Sequence, residues 1–214
     1  MSALALRTFA AIGTVATILV ASGCMRGSAS TPIAGSELFE ACVACHGTAG
    51  EGNPAIGAPA IAGLPQWYVT SQLTRFQTGL RGKHPDDVEG LKMRAMSNQM
   101  LSEAETTAVA SHVASMPHVS SPAVTGGDPA MGQQAFTLCV ACHGAKGEGN
   151  QAVNAPPLAG LDDWYVAAQL RKFRAGIRGT VTGDSIGPVM QAMSLTIAPE
   201  NINHLATYVH SLPK

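Results

Sequence analysis

Tyr68, Val69, Leu73 and Phe76 recur at helical spacing, and so do Tyr165, Val166, Leu170 and Phe173. The pattern predicts helices over 66–79 and 163–176, with Gly79 and Gly176 as natural stops. A helix is expected before each, over 36–44 and 133–141, and another after each, over 102–115 and 199–211. Leu101-Ser102-Glu103 reads as a helix start, and Pro199 suits a first-turn position. No stretch alternates with period two for long enough to argue a sheet, so the fold class is all-α.

The pattern repeats. A constant offset of 97 residues relates Gly35 to Gly132 and runs on to Met96 and Met193. Gly50-Glu51-Gly52-Asn53 recurs as Gly147-Glu148-Gly149-Asn150, and Trp67-Tyr68-Val69 as Trp164-Tyr165-Val166. Gln72, Leu73, Phe76, Arg81 and Gly82 recur as Gln169, Leu170, Phe173, Arg178 and Gly179. Agreement along a whole unit means internal duplication, and only two units make a tandem pair and not a solenoid. The expected domains are 35–117 and 131–214, with the Pro-, Gly- and Ser-rich stretch 118–130 as linker.

Composition narrows the picture. The chain has 214 residues, few of them charged, and a formal net charge of −1, which offers no footprint for nucleic acid. Residues 31–117 carry five Lys/Arg against eight Asp/Glu, and residues 127–214 six against six. Arg171, Lys172, Arg174 and Arg178 make one basic stretch, read as a solvated helix face in preference to a docking patch for partners. Domains of this size are marginal on apolar burial alone, so a further source of core is expected.

At the start of the chain, Arg7 precedes a diluted apolar run over 9–21, too short for a membrane span. Residues 1–23 therefore read as a signal peptide. Ala21-Ser22-Gly23-Cys24 is similar to a bacterial lipoprotein signal, with Ala21 where Leu is usual. Cys24 is the expected lipidation site, and 24–34 a flexible tether to a membrane.

The chemistry sits in one pentapeptide. CVACH stands at 42–46 and again, letter for letter, at 139–143. Cys-x-x-Cys-His is the attachment signal of c-type haem. Its two thiols add across the two vinyl groups of one porphyrin, and the imidazole that follows becomes the proximal iron ligand. Cys42 and Cys45 with His46, and Cys139 and Cys142 with His143, thus predict two covalent haem c groups. A redox dithiol would need a βαβ setting and no His. A four-cysteine zinc site would bring its pairs closer than 97 residues. The four haem cysteines leave Cys24 as the odd one of five.

Each iron needs a sixth ligand. Met93 and Met96 recur as Met190 and Met193 in loops expected before the last helices, while Met100 pairs with Ile197 and reads as core. Met93 lies 47 residues after His46, and Met190 lies 47 after His143. The competing interpretation is flexible apolar filler.

From Gly35 to Leu212 the chain resembles the two-domain dihaem class I cytochromes c, in particular periplasmic cytochromes of the c-four type. The resemblance implies two tandem cytochrome c-like domains, each wrapped around one haem. It implies iron ligation by Met93 and Met190, the first methionine of each pair, with Met96 and Met193 as the alternative. The one-residue difference in length between the copies before the last helix keeps that alternative open. It also implies that the carbonyls of Pro59 and Pro156 accept the Nδ1–H of the proximal histidines. Gly35 and Gly132 would let the first and last helices cross closely beside Phe39 and Phe136. The aromatic expected opposite is Tyr208 in the second copy, but His112 in the first. Trp67, Trp164, Arg81 and Arg178 are candidates for haem propionates, against ordinary packing and solvated charge.

Met/His ligation fills the iron, raises the potential and favours electron transfer over chemistry at the metal. The expected function is single-electron transfer in a bacterial periplasmic respiratory chain. Expected partners are a membrane quinol-oxidising complex, a terminal oxidase or a dehydrogenase. The alternative is a cytochrome subunit of a larger dehydrogenase or oxidase complex. A dihaem peroxidase, which needs one open iron, fits less well with a methionine in each copy.

Overall fold

The computed structural model describes residues 33–99, 102–119 and 121–214. The expected signal peptide and Cys24 lie outside the described residues, as does all of the tether but 33–34. In the first copy α1 spans Gly35–His46, α2 Gln66–Gln77, α3 Val88–Ser97 and α4 Glu103–Ser115. The second copy has α5 Pro129–Phe136, α6 Val140–His143, α7 Asp163–Arg174, α8 Gly187–Leu195 and α9 Asn201–Ser211. Among the described residues extended pairing is limited to two isolated bridges, Asn53–Ala58 and Asn150–Ala155. No described helix is long and apolar enough to cross a membrane.

Each copy closes its first helix on its last. A Cβ on Gly35 would run into the backbone of Ala108, and one on Gly132 into that of His204, so glycine permits both crossings. Phe136 meets Tyr208 with ring centroids 5.3 Å apart, and Phe39 meets His112 at 5.2 Å, with nearly equal tilts of 58° and 56°. The imidazole of the first copy thus occupies the place of the second copy's phenol.

The cores follow the helical stripes. Phe39, Leu73, Val109 and Val113 form the first. Phe136, Val166, Ala167, Leu170, Ile202, Leu205 and Val209 belong to the second, which is larger. Ser102 starts α4 with a capping box, its side chain on the Glu105 N–H and the Glu105 carboxylate on the Ser102 N–H.

Three expectations change. The methionine segments, expected as loops, are helices α3 and α8. Asp87 supplies the reason, accepting from Gly90 N at 3.2 Å, and Asp184 likewise accepts from Ile186 N and Gly187 N at 2.9 and 2.8 Å. These bonds satisfy N–H groups that a helix start leaves without partners.

The first helix of the second copy, expected unbroken over 133–141, is two pieces. Thr137 Oγ1 donates to the Gln134 carbonyl at 2.8 Å, and the N–H groups of Thr137, Leu138 and Cys139 each bond three residues back. This tightened turn interrupts the α-helix.

The segment expected as linker gives Pro129 and Ala130 to α5, and the rest of its second half is fastened to the second copy. Val124 N and Thr125 N donate to Asp163 at 2.8 and 2.7 Å, and Gly127 N donates to Thr207 Oγ1 at 3.2 Å.

Candidate functional site

Each CVACH motif ends a helix, so its cysteines and histidine share one short scaffold. His46 and His143 are buried, each about 5 % exposed. Nδ1 of His46 lies 2.8 Å from the Pro59 carbonyl oxygen, and Nδ1 of His143 lies 2.8 Å from that of Pro156. A carbonyl can only accept, so Nδ1 carries the hydrogen and Nε2 keeps its lone pair free for a metal. Burial lowers both imidazole pKa values, against a smaller rise from the proline carbonyls, so both rings are neutral at pH 7.

The loop after the motif sets that hydrogen bond. Gly52 N donates to the His46 carbonyl at 2.8 Å, and Gly149 N to that of His143 at 2.8 Å. Gly52 has φ +82° and lies so near the Pro59–Ala60 peptide that a Cβ would come within 2.6 Å of the Pro59 carbonyl carbon. Glycine therefore brings the proline carbonyl beneath the imidazole. The repetition of Gly-Glu-Gly-Asn in both copies was the signal for this role.

Cys42 and Cys139 are half-buried, and Cys45 and Cys142 are exposed. Burial, then the charge of the neighbouring cysteine, raises the Cys42 pKa and pushes that of Cys139 up to about 11. A redox dithiol needs the reverse, a thiol with a depressed pKa.

In the second copy Cys139, Cys142, His143, Met190 and Met193 all line one cavity of about 330 Å³. Met190 and Cys139 both pack against the second core, and Met93 and Cys42 both against the first. Met96 faces Gln99, whose Nε2 lies 3.8 Å from its sulfur. Part of the cavity wall comes from the first copy, namely Trp67, Tyr68, Gln72 and Arg75 of α2. Trp67 therefore reaches the second copy's cavity, and both tryptophans pack edge-on against the next tyrosine, Trp67 on Tyr68 at 5.8 Å and Trp164 on Tyr165 at 5.9 Å between centroids.

Arg81 and Arg178 meet where the copies join. Arg81 donates to Gln72 at 2.7 Å in its own copy, and to Tyr165 and Gln169 of the other at 2.9 and 3.2 Å. Arg178 donates to Gln169 at 2.7 Å and across to Gln72 at 3.3 Å. Each guanidinium stacks on a phenylalanine, Phe76 or Phe173, 4.6 or 4.5 Å from the ring centroid. All of these acceptors are neutral. Burial first, and the charge of Arg81 second, push Arg178 down to about 10, where it is still a cation at pH 7. Arg81 Nε is buried without a hydrogen-bond partner.

These features fit a haem in each copy. The histidine is in the ligating tautomer, cysteines and methionines border one cavity, and Arg81, buried with an orphaned N–H, lies with the half-buried Arg178 among neutral hydrogen-bond acceptors. Sequence reasoning had missed Tyr165, Gln72 and Gln169 as partners of the arginines. Their recurrence at the 97-residue offset was the available sign.

The model of the family described as Cytochrome c matches residues 33–117 and again 129–213. The chain is 32% identical over 185 residues to the thiosulfate dehydrogenase electron acceptor of Thiomonas intermedia (strain K12), covering 80% of this chain and 78% of that protein. It is 34% identical over 181 residues to the cbb3-type cytochrome c oxidase subunit FixP of Bradyrhizobium sp. (strain ORS 278), covering 80% of this chain and 57% of that one. The crystal structure of reduced recombinant cytochrome c4 from Pseudomonas stutzeri superposes with a TM-score of 0.66 at 28% identity, covering 84% of this chain and 97% of that one. The chain belongs to the cytochrome c family, as a dihaem electron carrier of the class I, cytochrome c4 type with one covalent haem c in each domain.

Proposed function

We propose that this cytochrome passes single electrons between redox proteins on the periplasmic side of a bacterial membrane, to which Cys24 tethers it. Each haem supplies an iron that cycles between ferric and ferrous. Cys42 and Cys45 fix the first haem and Cys139 and Cys142 the second. His46 and Met93 ligate one iron, His143 and Met190 the other. The observation that carries this reading is that one cavity is bordered by Cys139, Cys142 and His143 together with Met190 and Met193. Met93 is favoured over Met96 because it packs on the first core, as Cys42 does, whereas the Met96 sulfur is turned to Gln99.

The chain's own groups set the electron's surroundings. The Pro59 and Pro156 carbonyls orient the imidazoles and strengthen them as donors. Arg81 and Arg178 would offset the charge of the haem propionates, and Trp67, beside the second cavity, would help exclude water. Trp164 is the corresponding candidate in its own copy.

A second reading has a specific observation behind it. Relatives of this chain include a protein named as the electron acceptor of a thiosulfate dehydrogenase and one named as an oxidase subunit. This chain would then serve as the cytochrome component of a dehydrogenase or oxidase assembly, and its co-purification with such a complex in mild detergent would favour that form over a free carrier.

The ligand set is tested by Met93→His and Met190→His. Imidazole stabilises ferric iron better than a thioether, so each variant should lower the potential of one haem and leave the other. Unchanged potentials in both, with no sulfur-to-iron absorption band in the ferric parent, would reopen the peroxidase alternative. For the tether, Cys24→Ser should release the protein from membranes with its visible spectrum intact. A variant that stays membrane-bound would refute lipidation at Cys24.

A further inference from the structure

Position 75 and its counterpart 172 are both cationic, and Asp87 and Asp184 are related by the same 97-residue offset. Arg75 Nη2 of the first domain donates to Asp184 Oδ2 of the second. Lys172 Nζ of the second donates to Asp87 Oδ1 of the first at 2.6 Å, and also to Glu89 Oε2 at 2.6 Å. One ion pair is thus repeated with the roles of the domains exchanged, as at an interface with two-fold symmetry.

The carboxylates have a second task. Asp87 is 3 % exposed and Asp184 7 %. Each accepts N–H groups at the start of the helix that carries its domain's methionine pair, Gly90 on α3, and Ile186 and Gly187 at α8. Met93 is the sixth residue of α3 and Met190 the fourth of α8, so both lie within two turns of these bonds. A buried carboxylate that loses its hydrogen-bonded cation is left with less compensation for its charge, Asp87 retaining the more remote field of Arg81. It regains water or a proton only by weakening its hold on the helix start, where its negative charge is favoured by the exposed N–H groups.

We propose that Lys172 and Arg75 act in trans as positioning residues. Each holds the first turn of the other domain's methionine helix, and through it the sulfur that ligates the other domain's iron. The inference rests on methionine ligation, and it stands for either methionine of a pair because both lie on one helix. Ligand strength at each iron then depends on docking of the opposite domain.

The test uses the full-length ferric dihaem protein titrated with imidazole, which competes with a thioether for iron. The haems are told apart by signals assigned with Met93→His and Met190→His. If no substitution at Met93, Met96, Met190 or Met193 alters a sulfur–iron signal, the ligation reading fails on its own. Given ligation, Lys172→Met should tighten imidazole binding at the first haem by about fivefold to tenfold, the scale of a lost helix cap, and leave the second haem unchanged. Arg75→Met should give the mirror image, and Lys172→Arg should restore the parent value. Lys214→Met, which removes a different cross-domain contact from Lys214 Nζ to the Ala62 carbonyl at 3.5 Å, should change neither haem. The proposal is overturned if both haems respond alike, if neither responds, if the haem of the substituted domain responds instead, or if Lys214→Met reproduces the effect.

Discussion

The first domain brings its haem motif to the site on one unbroken helix, Gly35–His46, whereas the second breaks after Phe136 and resumes at Val140. The outcome at the site is the same. In both, the imidazole Nδ1 lies 2.8 Å from a proline carbonyl, and a glycine N–H bonds the histidine carbonyl at 2.8 Å. Helix continuity is therefore not what fixes the ligand. The five-residue motif and the glycine loop behind it do so, and the helix upstream needs only to supply a wall.

The domains differ more in what surrounds that unit. In the last helix Thr106 and Val109 of the first domain stand where the second has Ile202 and Leu205, all four buried. Thr106 spends its hydroxyl on the Ser102 carbonyl at 3.1 Å, and the helix is secured by its capping box. The second has no side-chain cap at the start of α9 and relies on apolar volume. It also anchors the incoming chain on Asp163, where the first domain has Gln66. One fold is thus stabilised by polar capping in one copy and by a larger core in the other.

The sharpest way to break this comparison is to remove a haem. Cys42→Ala with Cys45→Ala should abolish one covalent haem and unfold the first domain, since a domain of this size is marginal without it. The second domain should keep its haem, because its cysteines, histidine and methionines are its own. Mass spectrometry that still finds two covalent haems would refute the assignment, and native helicity in the affected domain would refute the link to stability.

A smaller effect is expected from giving the second core the first domain's residue. Ile202→Thr should destabilise the second domain by about 1–3 kcal/mol, through lost apolar contact and a buried hydroxyl. Calorimetry of the intact dihaem protein measures it. A change below about 0.5 kcal/mol would mean that the larger core is not what holds that domain.

The smallest concerns pH. Burial acts to raise the Asp163 pKa, but four hydrogen bonds, from Thr125 N, Thr125 Oγ1, Val124 N and Trp164 N, together bring it below the ordinary value. A carboxylate with a depressed folded pKa stabilises the fold above its unfolded pKa, about 4, and loses that contribution as pH falls through the folded value. The second domain should therefore lose stability in acid below about pH 4, and Asp163→Asn should flatten that part of the profile. An unaltered acid profile in the variant would assign the loss to other carboxylates.

Much of this was legible in the sequence. The apolar stripe of Tyr165, Val166, Leu170 and Phe173 located α7, and the resemblance to dihaem class I cytochromes c pointed to Gly35 and Gly132 at the crossings of first and last helices. The methionine segments do not read as helices in the sequence, where Gly90 and Gly187 disfavour helix, and the caps that offset them come from folded side chains. The division of the second copy's first helix was likewise hidden in one threonine, Thr137, whose hydroxyl takes up a helix carbonyl.

The residues themselves determined the attachment chemistry and the tandem arrangement, because each depends on groups a few residues apart or on a repeat. Cysteines three apart and the histidine beside them reach one porphyrin whatever the rest of the chain does. Only the tertiary structure decided that Trp67 borders the other domain's cavity, that Arg81 and Arg178 share acceptors, and that Arg75 and Lys172 reach carboxylates 109 and 85 residues away. Those partners are chosen by how two preformed surfaces dock. Docking depends on the shape and charge of both faces at once, which no local pattern in either copy encodes.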